Sequence, residues 1–161
     1  MKNNTLYKYF TILAVILLAI PASATADPFK EGINAFNRKD YVEALELLQV
    51  AAKHGNVAAQ FNVGIMYQDG IGIPKDYAKA LKWYTKAANQ GDVSAQMGLS
   101  VMYEKGLGTN KDYIQAYKWS YLALAQGHRA ATQLHKRVTS YLSAEQLEEA
   151  KKLVKDWKSK H

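Results

Sequence analysis

The sequence predicts an all-α fold, a right-handed α-solenoid of about four antiparallel helix pairs. Two observations predict it. "GIGIPKDYAKALKWYTKAANQG", Gly70 to Gly91, returns 36 residues later as "GLGTNKDYIQAYKWSYLALAQG", Gly106 to Gly127, with 11 of 22 paired positions identical. Within each copy, apolar residues recur three and four positions apart, the helical period. A unit of this kind cannot bury its apolar face alone and must stack on its neighbours.

Residues 1–26 stand apart. Lys2 and Lys8 precede the apolar run "FTILAVILLAI", Pro21 breaks it, and "ASATA" supplies small residues for cleavage. This is the pattern of a cleavable export leader, cut after Ala26 or Ala24. The run is too short for a transmembrane anchor, which needs about 20 apolar residues. The expected location is the periplasm or beyond, with no stable membrane insertion after cleavage. Loss of Lys2 and Lys8 lowers the net charge from +7 to +5. The chain has no cysteine, so stability must come from packing alone.

Residues 27–55 form a first, shorter helix pair, "PFKEGINAFNRKDYVEALELLQVAAKHG", whose link lacks paired glycines. Residues 56–91 and 92–127 are the two full units. In each, a first amphipathic stretch ("VAAQFNVGIMYQDG", "VSAQMGLSVMYEKG") is linked to a second by a glycine pair. Gly70 and Gly72, like Gly106 and Gly108, allow the turn at positive φ. Asp76 and Asp112 precede the second helices and can cap their free N–H groups. Asp112 with Gln115 and Asp40 with Glu43 have capping-box spacing. Ala80, Trp83 and Ala87 share one helix face, as do Ala116, Trp119 and Ala123; alanine permits close approach and tryptophan fills the gap. Residues 128–161 make a terminal capping pair, with Ser143 and Gln146 as a further capping box. The lysine-rich face of the last stretch suits a soluble end.

Chemistry is sparse. His54, His128, His135 and His161 read as surface residues near helix ends; His128 and His135 are seven apart, about 10 Å along a helix. No HExxH motif or cysteine ligand is present, and no phosphate loop follows the glycines. Asp69 and Glu104 fall in different units and read as solvated helix ends. Asp76 and Asp112 recur, which marks a structural role, since a catalytic residue is needed once. The expectation is therefore no enzymatic activity, no cofactor and no metal. Export and the dispersed lysines argue against nucleic acid as a partner; an anionic envelope polymer is compatible with the positive charge. The densest basic run is "KKLVKDWKSKH".

The pattern AxxxxGxxYxxGxG…KDYxxAxxWYxKAAxxG resembles the Sel-one-like repeat (SLR) family, a variant of the tetratricopeptide repeat. Ala59, Gly64, Tyr67, Gly70, Gly72, Asp76, Tyr77, Ala80, Trp83, Tyr84, Ala87, Ala88 and Gly91 carry it, and Tyr103, Gly106, Gly108, Asp112, Ala116 and Trp119 repeat it. The third unit departs from the pattern at Ser100 and Ser120. The first looks more like an ordinary tetratricopeptide repeat. The resemblance implies a binding module that holds a protein or peptide in a concave groove lined by the first helix of each unit. On that face stand Phe61, Ile65 and Gln68, then Met97, Val101 and Glu104, and in the first unit Phe29, Ile33 and Phe36. Aromatic, aliphatic and methionine side chains suit such a groove. The resemblance also raises a second reading, hydrolysis of cell-wall material or β-lactams, attributed to cysteine-rich relatives. This chain lacks their cysteines, and Ser94, Ser100 and Ser140 have no evident base.

Overall fold

The computed structural model describes residues 27–159; the export leader expected at 1–26 lies outside them. Eight helices and no strand occur among the described residues. They are α1 (Pro28–Asn37), α2 (Tyr41–Lys53), α3 (Val57–Asp69), α4 (Tyr77–Asn89), α5 (Val93–Lys105), α6 (Tyr113–Ala125), α7 (Arg129–Thr139) and α8 (Ala144–Lys158). None is long and apolar enough to cross a membrane. From α1 to α7 each helix packs against the next in sequence, which is the arrangement of an all-α solenoid of helix pairs.

Polar residues start the helices. Asp27, Asn56, Asp76, Asp92, Asp112 and Ser143 each accept a hydrogen bond from a backbone N–H in the first turn. Only Ser143 and Gln146 form a reciprocal capping box. Asp112 accepts from the Gln115 backbone, but its own N–H already donates to the Tyr103 carbonyl at 2.9 Å, so Gln115 has nothing to return to. At Asp40 the expected box is absent. Arg38 takes both carboxylates instead, at 3.1 Å from Asp40 and 3.1 Å from Glu43.

The second glycine of each link is also a contact between units. Gly72 sits against Tyr41, and Gly108 lies on the carbonyl of Tyr77, each the first residue of the preceding unit's second helix. Both glycines have positive φ, 73° and 69°. The short first link has Lys39 at φ 69° instead.

Two apolar clusters make the core. Ala35, Leu45, Leu48, Val63 and Met66 centre the first, from α1 to α3. Tyr84, Leu99, Met102, Trp119 and Val138 centre the second, from α4 to α8. Fully burying a side chain such as Leu99 contributes about 1.5–3 kcal/mol. Trp83 and Trp119, equivalent in sequence, differ. Trp119 is buried, while Trp83 is only partly so, with the Lys86 ammonium 4.5 Å from its ring centre. Trp83 flanks the first cluster from the neighbouring unit and is less central than its repeat position implies.

A glutamine ladder joins the units. Gln60 donates to the Ala52 carbonyl (3.0 Å) and accepts from Gln90 (2.7 Å). One repeat on, Gln96 donates to Ala88 (3.2 Å) and accepts from Gln126 (3.0 Å). Gln60 and Gln96 are buried, so these bonds satisfy amides that would otherwise cost about 1–3 kcal/mol each.

The C-terminal pair departs from the expected geometry. The last helix, α8, packs on α6 and has little contact with α7. Ala150 and Val154 are its buried residues, and Trp157 meets Trp119 edge-on at 6.2 Å. Burial against the open face of α6 decides this placement.

Candidate binding groove

A groove of about 510 Å³ runs between α3 and α5. Phe61 and Ile65 line one wall, Met97 and Val101 the other, and Tyr84 of α4 lies beneath. These four wall residues are the apolar positions expected from the second face of the two full-unit first helices. They are partly exposed and rest on the core below. Gln68 and Asp69 border the groove, as do Lys105 and Leu107. A first helix presents this face because its other side, through Ala59 and Val63 or Ala95 and Leu99, is fully buried.

Tyr84 is the keystone of the groove. An added Cβ at Gly64 would stand 2.5 Å from its ring, and one at Gly98 would stand 3.3 Å away on the other edge. Glycines on α3 and α5 thus admit one aromatic ring from α4. The hydroxyl donates to Gln68 Oε1 at 3.2 Å, and burial pushes the phenol well above the usual tyrosine range, with the Asp69 charge adding to the effect. Phe61 leans on the same ring, with centroids 5.6 Å apart. Sequence reasoning singled out Gly64 but missed Gly98; a glycine inside a helical stretch with no capping role was the available signal.

The remaining candidate positions lie elsewhere. Phe29, Ile33 and Phe36 pack against the first core cluster and do not line the groove; Phe36 meets Tyr41 edge-on at 5.3 Å. Glu104 is not a groove residue either. It is 8% exposed and held by Arg137 of α7 through two bonds of 2.7 and 2.8 Å. Helix α7 covers the α5 surface there, and a desolvated carboxylate needs such a fork.

The two departures at Ser100 and Ser120 occupy the positions of Gly64 and Tyr84. Ser100 donates to the Ala116 carbonyl (2.8 Å), and Ser120 pairs with His135 Nδ1 (3.0 Å). His135 is therefore a packed residue and not the surface histidine expected. Its ring lies 4.6 Å from Tyr117 and 5.6 Å from Tyr121, and burial lowers its pKa. On α6, Lys118 is buried with its ammonium 3.9 Å from the Trp119 ring centre, and desolvation lowers its pKa to about 8. Among the described residues, no three His, Cys, Asp or Glu side chains come together in a way that could hold a metal.

Stacked helix pairs, a glycine-paired link and a groove between first helices define a helical-repeat protein. The Sel1 repeat matches residues 36–56, 57–92 and 93–128, and the chain belongs to that family. Among solved structures, it is similar to a protective antigen present in uropathogenic Escherichia coli strains, displaying an SLR fold (TM-score 0.75, 33% identity). That match covers 81% of this chain and 29% of the antigen. It is also similar to a Sel1 repeat protein from Oxalobacter formigenes (TM-score 0.64, 36% identity), over 69% of this chain and 46% of that one. The chain thus spans less than half the length of either. No curated protein sequence matches it. Sel1 repeat proteins typically mediate protein–protein interaction and are generally non-catalytic scaffolds.

Proposed function

We propose that this protein is an exported adaptor, periplasmic or secreted, that holds an extended apolar segment of a partner protein in the α3–α5 groove. The observation that carries this reading is the groove itself: an open, mostly apolar channel between the first helices of the two full repeats, with Tyr84 as its floor. Asp69 and Lys105 place one charge of each sign at its border, which favours an apolar segment flanked by a cation and an anion. Burial of the segment's side chains supplies the affinity, at roughly 25 cal/mol per Å² before association costs. The protein has no catalytic step of its own in this reading. Export rests on the leader pattern of residues 1–26.

Site-specific photo-crosslinking in cells tests it. A benzoylphenylalanine at Val101 should give a defined adduct, and one at exposed Lys53 should not. A synthetic peptide of the crosslinked segment should bind the parent protein and lose at least about tenfold affinity for Met97→Glu. Equal adducts from both positions, or a peptide indifferent to Met97→Glu, sink the proposal.

A further inference from the structure

A second concavity, of about 370 Å³, lies between α6 and α8, away from the groove. Tyr117, Tyr121 and Val154 form its apolar part, and Lys151, Lys155 and Lys158 its basic rim. The two tyrosine rings are nearly parallel, 20° apart with centroids 6.1 Å from one another. His135 backs both rings.

Lysines predominate on the side of α8 that faces the tyrosines, with Glu148 among them. Lys151, Lys155 and Lys158 follow the helical spacing on the side facing the tyrosines, while Glu149, Lys152 and Asp156 face a separate depression beside Asp112. Lys151 is tied to Glu148 at 2.6 Å. Among the described residues Lys155 and Lys158 make no ion pair, and the Lys158 ammonium stands 5.0 Å from the Tyr121 ring centre.

We propose that this cleft binds an acidic saccharide, with a sugar ring beside Tyr121 and its carboxylates at Lys155 and Lys158. Tyr117 is buried beneath, so the half-buried Tyr121 supplies the aromatic surface for the C–H face of a sugar. The cations are lysines, point charges without the bidentate fork of arginine, which fits carboxylates spaced along a ring-based chain.

Calorimetry on the purified protein at low salt tests this with hexagalacturonate, the galacturonate monomer and neutral maltohexaose. The acidic hexamer should bind and the neutral one should not. Lys155→Glu with Lys158→Glu should weaken binding at least about tenfold, and added salt should weaken it further. Lys30→Glu with Lys53→Glu makes the same change of net charge on exposed residues far along the chain and should leave binding nearly intact. Binding of the monomer would point to a free acidic sugar as the ligand, and binding of the hexamer alone to a polymer; both support the site. Absence of binding, equal binding of maltohexaose, or equal loss in the two charge-reversed pairs overturns it. Met97→Glu should not alter this binding, so failure here and failure of the adaptor reading remain separate.

Discussion

Gly64 lies directly against the ring of Tyr84, and one repeat later the same two positions hold Ser100 and Ser120. The exchange is paired: where the ring is present the facing residue has no Cβ, and where the ring is absent a serine fits. Gly64→Ala should destabilise the protein by about 1–3 kcal/mol through overpacking, despite alanine's better helix propensity. Gly64→Ser should cost clearly less in a Tyr84→Ser background than alone. Urea unfolding of the four proteins in the cycle measures the coupling; additive effects would mean the ring moves aside freely.

Gly108 and Gly127 separate conformation from contact. Both have positive φ, 69° and 79°, but an added Cβ at Gly108 would run into the Tyr77 carbonyl, whereas nothing lies within 4 Å at Gly127. Gly127→Ala should therefore cost about 1–2 kcal/mol from the backbone alone, and Gly108→Ala more. Equal melting temperatures for the two variants would remove the inter-unit contact from the explanation.

Arg137 serves one carboxylate and Arg38 two, in different surroundings. Glu104, paired with Arg137, has a side chain only 9% exposed, while both acids around Arg38 are 55% exposed. Arg137→Ala should cost about 2 kcal/mol, below the range for a fully buried pair because Arg137 itself is 48% exposed. Arg38→Ala should cost clearly less, because its pairs are exposed to solvent. Chemical denaturation at neutral pH compares them, and a smaller loss for Arg137→Ala would contradict the desolvation argument.

His135 links stability to pH. Burial depresses its folded-state pKa below the ordinary 6.5, so in acid the unfolded chain binds the extra proton first. Stability from this residue is complete above pH 6.5 and falls as pH drops from there through the lowered value. His135→Gln should flatten the stability profile in that window while lowering it overall through lost packing on Tyr117. Urea midpoints measured between about pH 5 and 8 reveal the difference.

The helix pairs, their caps and the wall residues Phe61, Ile65, Met97 and Val101 were legible because they follow local rules. Periodicity marks a face, glycine marks positive φ, and aspartate before an apolar run marks a helix start. Phe29, Ile33 and Phe36 obey the same periodicity and are half-buried in the same way, but they lie outside the α3–α5 groove, a placement that periodicity does not carry. The glutamine ladder was visible only as an unremarked recurrence of Gln60 at Gln96 and Gln90 at Gln126.

By itself, then, the sequence determined the repeat, its helices and its turns, since each depends on residues within a few positions. Tertiary structure alone decided which second faces stay open. Glu104 is closed off by a residue 33 positions away, Tyr84 is admitted by glycines on two other helices, and Lys158 of α8 meets Tyr121 because α8 packs on α6 rather than on α7. Those outcomes depend on burial between distant segments, where the energy of docking one apolar face selects its neighbour and leaves another face exposed.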